Sequence, residues 1–415
     1  MIPVYLSKPG LVCCAGSSFA NFFSAALSGD RTGIVPVEVG NMAQKFLAGR
    51  IAGTNRSGPE SGFSSLSGRP GTTRLLDICA AALDQLRSLM EKALSRCGPD
   101  RIGLCLGSCD NGTELSIPAH GFFFKDHTFP HDYDLVFQSA AAPAEYSAQF
   151  FGIKGPILAL ATACASGATA IVRGAELIRS GICDAVIAGG ADIASDTAIL
   201  GFSALEAISP ELSNPFSKNR RGINLGEGAA FFVLSREMID EQAVILAGCG
   251  ESSDAHHMTA PHPEGKGAAA AMNAALNDAG IKPGSIGYVN LHGTGTVLND
   301  KAEAAAMHAV FGGNQPPASS TKPITGHTLG AAGALELALC WGVLETGAVP
   351  VHCWDGILDE ELPFLNLVNC PKTGSGGSAA GLQTEKILFC MSNSFAFGGC
   401  NVSLIIGRTD FCGGK

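Results

Sequence analysis

The sequence is poor in charged residues and in the larger aromatic residues. Asp, Glu, Lys and Arg make up only 15% of its 415 residues, and it has two tryptophans and four tyrosines. The 27 Lys and Arg are outnumbered by 37 Asp and Glu, which gives a formal net charge of −10. A chain without a cationic surplus is unsuited to neutralising phosphates, so general nucleic-acid binding is excluded. The 46% of hydrophobic residues and the 53 glycines are typical of a compact α/β enzyme.

The sequence also lacks CxxC pairs and long apolar runs. Its 15 cysteines are an odd number scattered through apolar segments, which predicts reduced thiols in a cytoplasmic protein. His256, His257 and His262 offer ligand atoms without the other features of a zinc site, so we expect no bound metal. No uninterrupted apolar run reaches the ~20 residues that a transmembrane helix needs. We therefore expect a soluble chain with no membrane span.

One layout occurs twice along the chain. Residues 72–108 and 265–296 each read as a helix, a turn and a strand that ends in small residues. Each is followed by a strand that turns sharply into an Ala- and Gly-rich helix. The remaining short apolar runs do not alternate, which is typical of strands covered by helices on both faces. We predict a layered α/β/α/β/α fold of two similar halves, residues 1–240 and 241–415, that share one core.

A cysteine stands where the first of these Ala- and Gly-rich helices begins. In "LALATACASGATAIVRG", Cys164 falls at the first turn, where free backbone N–H groups and the helix dipole stabilise negative charge. This placement predicts a lowered thiol pKa and a nucleophilic thiolate, with the same N–H groups able to hold an oxyanion. The small neighbours, among them Ala163 and Gly167, are expected to leave room for a substrate.

Two histidines lie at comparable positions in the second half. His292 follows a strand in "VNLHGTGTVLND", and His327 precedes a small-residue helix in "TKPITGHTLGAAGALE". Either one alone is more often a structural histidine. Because three reactive side chains fall at three equivalent edges of the repeated layout, we predict that they meet in one site.

The segments around these residues resemble the elongating β-ketoacyl-acyl carrier protein synthases of fatty acid and polyketide synthesis. "TACASGA", "NLHGTGTVLND", "TKPITGHTLGAAGALE" and "SNSFAFGGCN" come in the family's order and with similar spacing. The resemblance implies a thiolase-like fold and a dimer. It also implies an acyltransferase that condenses an acyl chain with malonyl-carrier protein, with loss of CO₂. The chain departs from the family pattern at Ser217, Arg221, Ala396 and Cys400, which favours a specialised, secondary-metabolite branch.

The resemblance also implies roles for individual residues. Cys164 would carry the acyl chain, and His292 and His327 would promote decarboxylation of the malonyl group without either being needed as a base toward Cys164. The N–H groups of Cys164 and Phe397 would hold the oxyanion, and Phe397 would also act as a gate. A Lys322–Glu336 pair would position His327. The residues implied in substrate binding are Thr294 and Thr296 on the pantetheine arm, His257 and Thr259 near the substrate tunnel, and Gly398 and Gly399, which allow close backbone approach.

The partners follow from the same resemblance. The acyl carrier protein brings the phosphopantetheine arm, so no cofactor of the chain's own is expected, and the second subunit would be a copy or a chain-length-factor-like relative. Because the chain is itself acidic, docking of an acidic carrier would need a local basic patch. The candidates for that patch are Arg69, Arg74, Lys218, Arg220 and Arg221.

Four alternatives fit the sequence less well, because Cys164 is present, both partner positions are histidine and the layout is duplicated. A thiolase would use a second cysteine near the C-terminus, for which Cys400 is the candidate, but it would lack "HGTGT". An initiating condensing enzyme would pair cysteine with one histidine and an asparagine. A non-catalytic chain-length subunit usually lacks the nucleophile, and a cysteine protease would need a base and an orienting partner beside its thiol.

Overall fold

The computed structural model describes residues 2–40, 42, 44–51, 73–110, 112–131, 133–369 and 387–409. Its helices are α1 (Phe19–Ser28), α2 (Arg74–Asp84), α3 (Arg87–Cys97), α4 (Thr113–Asp126), α5 (Ala142–Phe151), α6 (Ser166–Arg179), α7 (Asp196–Ala204), α8 (Lys266–Ala279), α9 (Val297–Phe311), α10 (Lys322–Thr325) and α11 (Ala332–Thr346). Its strands are β1 (Tyr5–Leu6), β2 (Gly10–Cys13), β3 (Ile34–Val37), β4 (Phe46–Gly49), β5 (Ile102–Gly107), β6 (Ile157–Leu160), β7 (Ala185–Asp192), β8 (Leu225–Gly226), β9 (Gly228–Ser235), β10 (Val244–Ser253), β11 (Ile286–Asn290), β12 (Ala318–Ser319), β13 (Phe389–Phe395) and β14 (Cys400–Gly407).

Local sequence signals set several of these boundaries. The side chains of Ser18 and Thr73 accept hydrogen bonds from backbone N–H groups of the first turns of α1 and α2, as N-cap residues do. Gly29 and Gly280 end α1 and α8 in the left-handed conformation, at φ of 72° and 67°, which costs glycine no steric strain. These four helix boundaries therefore lie where the sequence supplies caps.

One eleven-stranded sheet joins the two halves. Along the order β12-β11-β13-β14-β10-β1-β9-β7-β5-β6, the strands before β1 come from the second half and those after it from the first half. The two-residue strand β1 pairs antiparallel with both β10 and β9, and β2 pairs with β9. The strands form one continuous sheet, so the boundary between residues 240 and 241 stays a prediction.

Helices cover both parts of the sheet in the predicted layers. Helices α6 and α11 contact each other between the two parts, α6 on β5 and β7, and α11 on β11 and β13. Helices α2, α3 and α5 cover the outer face of the first half, and α8, with α9 packed on it, covers that of the second. The α/β/α/β/α architecture is thus confirmed.

The middle layer is almost entirely apolar. The segment Leu329–Thr346, which ends with α11, is long and apolar enough to cross a membrane, but 89% of it is buried inside the protein, as in a core helix. Thirteen cysteines fall in the described part of the chain, and all are free thiols. Most pack among apolar side chains.

Candidate active site

Cys164 lies in a tight turn between β6 and α6. Ala163, immediately before it, has a φ of 49°, a left-handed conformation that is strained for any residue except glycine. The hydroxyl of Ser166 accepts a hydrogen bond from the N–H of Thr162 at 2.9 Å and donates to the carbonyl of Ala163 at 2.6 Å. These bonds hold the turn that presents the thiol at the entrance of α6.

The small residues around Cys164 serve close packing of α6, both within the first half and against the second. A Cβ atom on Gly107 would lie 2.2 Å from the carbonyl carbon of Ser166, and one on Gly167 would lie 2.7 Å from the carbonyl oxygen of Gly330. At Gly167 we expected space for a substrate. The structure instead uses this position to bring α6 against the loop that carries His327.

His292 is fixed by a buried lysine. The ammonium of Lys322, at the start of α10, lies 3.3 Å from Nδ1 of His292 and also donates to the carbonyl of His292 and to Glu336 on α11. An ammonium has only donors, so Nδ1 accepts and the ring proton of the neutral imidazole lies on Nε2. The Lys322–Glu336 contact is as predicted, but the expectation that it positions His327 is wrong, because the lysine binds His292.

His327 reaches the thiol directly. Its Nε2 lies 3.0 Å from Sγ of Cys164, and its ring centroid lies 5.5 Å from that of His292 with the planes at 83°. Its backbone N–H donates to the carbonyl of Asn224, and its carbonyl accepts from Gly226. Nδ1 of His327 has no hydrogen-bond partner among the described residues, so no neighbour fixes its tautomer. The two histidines therefore differ, because Lys322 fixes the tautomer of His292 and no described residue fixes that of His327 through Nδ1.

Burial dominates the electrostatics of the three residues. It raises the pKa of the Cys164 thiol to about 12, and Lys322 offsets only part of that shift. The predicted lowering of the thiol pKa by the helix entrance is therefore wrong for this arrangement, because the desolvation penalty outweighs the favourable charges. Burial, together with the lysine charge, also holds the pKa values of both histidines well below their usual range. The site thus contains a neutral thiol and two neutral imidazoles.

Two acidic residues that the sequence analysis did not single out shape the His292 loop. Both are buried on α9, three residues apart. Glu303 accepts hydrogen bonds from the N–H groups of His292 and Gly293, each at 2.7 Å, and burial raises its pKa to about 8. Asp300 accepts from the N–H of Gly295 at 3.1 Å. The sequence contains a pattern that could have identified them, because "DKAE" follows the "HGTGT" segment at the start of a helix.

A third acidic residue links the two halves next to the nucleophile. Asp192, at the end of β7, is fully buried and accepts hydrogen bonds from the N–H of Gly330 at 2.6 Å and from those of Cys109 and Asp110, each at 2.9 Å. Ser108 adds a fourth bond through its hydroxyl at 3.1 Å. Asp192 thereby ties the loop after His327 to the first half, and no sequence motif indicated this role.

A cavity of about 350 Å³ opens above these residues. Cys164, His292 and His327 lie on its wall, and so do most of the predicted substrate-binding residues: Thr294, Thr296, Thr259, Phe397, Gly398 and Gly399. His257 is not among the lining residues. It lies on the surface, where its Nδ1 accepts a hydrogen bond from the N–H of Thr259 at 3.1 Å. The cavity wall also includes Phe202, which no motif indicated and whose ring centroid lies 5.8 Å from that of Phe397.

The basic residues that were predicted to bind the carrier protein fall into two groups: some form ion pairs inside the fold, and others are accessible. Arg74 is mostly buried and forms an ion pair with Glu227, and Arg220 is buried and forms an ion pair with Asp359 at 2.5 Å. Both predictions are wrong, because each guanidinium is committed to a carboxylate inside the fold. Arg69 lies outside the described residues. The remaining two candidates, Lys218 and Arg221, are exposed.

The three reactive residues also resemble a metal site in their spacing. One ligand atom from each of Cys164, His292 and His327 can be chosen so that all lie within 4.8 Å of one another. A zinc ion needs unprotonated nitrogens, whereas Lys322 leaves the ring proton of His292 on Nε2. An N–H group facing the cavity suits a developing oxyanion, so the arrangement fits acyl chemistry better than metal binding.

Comparisons with known proteins agree with the geometry. The family model "Beta-ketoacyl synthase, N-terminal domain" matches residues 70–238, and the corresponding C-terminal domain matches residues 243–353. The chain is 36% identical over 329 residues to 3-oxoacyl-[acyl-carrier-protein] synthase 2 of Vibrio cholerae, which covers 74% of this chain and 76% of that protein. It is 37% identical over 272 residues to nodulation protein E of Rhizobium leguminosarum bv. trifolii, with 64% of each chain covered.

A solved structure extends the likeness to the whole chain. The ketosynthase ApeO of Xenorhabdus doucetiae, determined in complex with its chain length factor ApeC, is 37% identical. Its superposition has a TM-score of 0.84 and covers 98% of both chains. The chain therefore belongs to the β-ketoacyl synthase family and is a condensing acyltransferase of the 3-oxoacyl-carrier-protein synthase type.

Proposed function

We propose that the first half of the chain carries the acyl group and the second half activates the malonyl group. The observation that carries this proposal is the 3.0 Å contact between Sγ of Cys164 and Nε2 of His327 on the wall of an open cavity, with His292 beside them. The reaction is a decarboxylative condensation in fatty acid or polyketide-type elongation.

Acylation of Cys164 requires a proton acceptor, because the raised pKa leaves little thiolate at neutral pH. Nε2 of His327 accepts the thiol proton as Sγ attacks the carbonyl carbon of the acyl thioester. The bond between that carbon and the pantetheine sulfur then breaks, and the proton passes from His327 to the departing thiolate. This role as a base differs from the expectation from the sequence, in which neither histidine was needed as a base toward Cys164.

Decarboxylation then uses both imidazoles as donors. Nε2–H of His292 donates to the oxygen of the malonyl thioester, which becomes an enolate oxygen as CO₂ leaves. His327 supplies the second donor in its Nε2–H tautomer, which it reaches between the two half-reactions by giving the Nδ1 proton to water and taking one up on Nε2; no described residue holds the proton on Nδ1. Removing one such donor typically costs about 10²–10³ in rate.

The carbon–carbon bond forms in the same cavity. The carbanion attacks the acyl carbon on Cys164, and the resulting oxyanion lies between the backbone N–H groups of Cys164 and Phe397. Collapse of that intermediate breaks the bond to the Cys164 sulfur, which leaves as a thiolate and takes up a proton from water to restore the thiol. Gly398 and Gly399, with φ of 82° and 75°, let the Phe397 turn approach the substrate. The phosphopantetheine arm arrives on the carrier protein, and we propose no cofactor held by this chain.

A second subunit covers an apolar surface around α4. Phe124 on this helix is 78% exposed, and several apolar residues near it are also exposed: Ile117, Phe122, Phe129, Leu135 and Val136. Strand β6, at the edge of the large sheet, leads directly into the Cys164 turn, and such an edge is normally paired or covered. We propose a partner of related fold, a copy or a chain-length-factor-like subunit, as in the complex of ApeO with ApeC.

Mass spectrometry of the acyl-enzyme tests the proposed function. Incubating the protein with a hexanoyl thioester of pantetheine should add one hexanoyl group on Cys164, and adding malonyl-carrier protein should release CO₂ and a 3-oxo product. Cys164→Ala should abolish the adduct and the product. An adduct on another cysteine, such as Cys400, would contradict the assignment and favour thiolase-type chemistry. The thiol of Cys400 interacts with Thr162, and Cys400 is not among the residues that line the cavity.

A further inference from the structure

The mouth of the catalytic cavity is surrounded by exposed apolar side chains. Met258 is 76% exposed and Leu298 is 58% exposed, and Leu205 and Val297 are each more than half exposed. All four line the cavity that contains Cys164. We call these four residues the apolar rim.

The apolar rim is unexplained by the packing of the fold. Val297 and Leu298 open α9, where a first turn exposed to water is normally polar, and Leu205 directly follows α7. The carbonyl of Met258 accepts a hydrogen bond from Gly398 at 2.7 Å, which connects the rim to the Phe397 turn. Exposed apolar side chains that converge on one opening are typical of a binding surface.

Among the residues that the structure describes, charged groups contribute little to the same opening. The charged side chains among the cavity-lining residues are Glu206 and Arg221, which have opposite signs. Lys218 and Arg31 lie in an adjoining polar cleft that shares Arg221, and the other described docking candidates are engaged in ion pairs. With a formal charge of −10 on the chain, long-range attraction of an acidic carrier is disfavoured.

We propose that the carrier protein docks mainly through apolar contacts with the apolar rim, and that its binding depends only weakly on salt. This inference rests on the proposed function. A thioester tethered to a carrier can reach Cys164 through this opening, and the body of the carrier would then rest on the residues around it. The partner chemistry is therefore an apolar patch next to the serine that bears the phosphopantetheine arm. Lys218 and Arg221 add a minor contact to phosphate or to acidic side chains.

A comparison of tethered and free thioesters tests the proposal. Condensation is measured with hexanoyl and malonyl groups on a bacterial acyl carrier protein, and again with the same groups on free pantetheine. The matched variants are Leu298→Asp on the rim and Ile182→Asp, which changes a residue of similar exposure, 50%, that does not line the cavity. Met258→Asp is a second rim variant, whose largely exposed side chain leaves folding unaffected.

The two rim variants should raise the KM for the carrier-bound substrates at least tenfold, and at least three times more than they change kcat/KM for the free thioesters. Ile182→Asp should change neither value by more than twofold. For the unmodified protein, raising NaCl from 50 to 300 mM should change the carrier KM less than threefold. An unchanged carrier KM in both rim variants, or a more than tenfold rise with salt, would overturn apolar docking. Failure of the free thioesters to acylate Cys164 would instead refute the proposed function itself.

Discussion

The two halves of the chain contain the same turn at the entrance of a buried helix, and they use it differently. "TACASGA" at the start of α6 and "TLGAAGA" at the start of α11 correspond residue by residue. Ala163 and Leu329, at equivalent positions, have φ of 49° and 50°, and each begins a short 3₁₀ turn that leads into the helix. Cys164 in the first turn corresponds to Gly330 in the second.

The second turn has no room for a reactive side chain. A Cβ atom on Gly330 would lie 2.6 Å from Oδ2 of Asp192 and 2.9 Å from Cα of Ser108. The N–H of Gly330, which at a free helix entrance could hold an anion, donates to Asp192 instead. One repeated turn therefore presents a thiol to the cavity, whereas the other connects the His327 loop to the first half through Asp192. We call this connection the joint.

The largest effect should come from separating the two half-reactions. His292→Ala removes a donor to the enolate oxygen, so malonyl decarboxylation should fall by about 10²–10³. Acylation of Cys164 should persist within about threefold, because His327 remains beside the thiol. Stopped-flow CO₂ release and intact-mass measurement of the acyl-enzyme give the two rates.

Glu361→Gln, which changes an exposed carboxylate that is not among the cavity-lining residues, is the control and should leave both rates unaltered. If His292→Ala lost acylation and decarboxylation equally, the division of labour between the halves would be refuted.

The next largest effect should come from the joint itself. Asp192→Asn replaces one acceptor oxygen with an NH₂ donor that faces at least one backbone N–H. The unpaired buried donors should lower the free energy of unfolding by about 1–3 kcal/mol. We expect kcat for condensation to fall about tenfold, equivalent to about 1.4 kcal/mol, with the KM for the carrier unchanged. Removing the carboxylate charge also lowers the pKa of the Cys164 thiol, since Asp192 raises it.

Iodoacetamide labelling distinguishes this positioning role from simple damage to the fold. At pH 8.5, where Asp192 with its pKa of about 7 is ionised, Asp192→Asn should label faster at Cys164 than the unmodified protein. The unfolding midpoint in urea is measured in parallel. Slower condensation together with slower or equal labelling would contradict a positioning role.

The sequence predicted the parts of the site that short motifs carry. Cys164, His292, His327 and the Lys322–Glu336 pair stand in or beside motifs whose local chemistry is readable, and the structure brings them together. The lysine's partner was mistaken because the choice between two histidines depends on where α10 places the ammonium.

The remaining errors share one physical cause. The pKa of Cys164 and the availability of Arg74 and Arg220 depend on burial and on partners far along the chain. Arg74 binds Glu227, and Asp192 binds a loop of the other half, although no local pattern links them. The lowering of the Cys164 pKa by the helix entrance could be predicted from the sequence, whereas the desolvation that raises this pKa could not.

A smaller effect follows from the raised thiol pKa. Because the thiolate is the nucleophile and the pKa of Cys164 is about 12, the thiolate fraction should rise about tenfold with each pH unit between about pH 8 and 10, where Asp192, with its pKa of about 7, stays ionised. The rate of iodoacetamide labelling at Cys164, followed by mass spectrometry in the absence of substrate, should therefore increase with a slope near one and without a plateau. A plateau near pH 7 would indicate a thiolate already stabilised by the helix entrance.

The smallest expected effect on catalysis comes from making the two turns more alike. Gly330→Ala introduces a methyl group against Asp192 and Ser108, so we expect overpacking to lower the free energy of unfolding by about 1–3 kcal/mol. Gly201→Ala, inside α7 with no atom within 4 Å of the new Cβ, is the matched control and should stabilise by about 0.5–1 kcal/mol. Urea denaturation measures both.

Since Cys164 keeps its contact with His327, acylation should fall only severalfold in Gly330→Ala. Equal stability of the two variants would show that the second turn has space to spare, and the contrast between a binding turn and a packing joint would then fail.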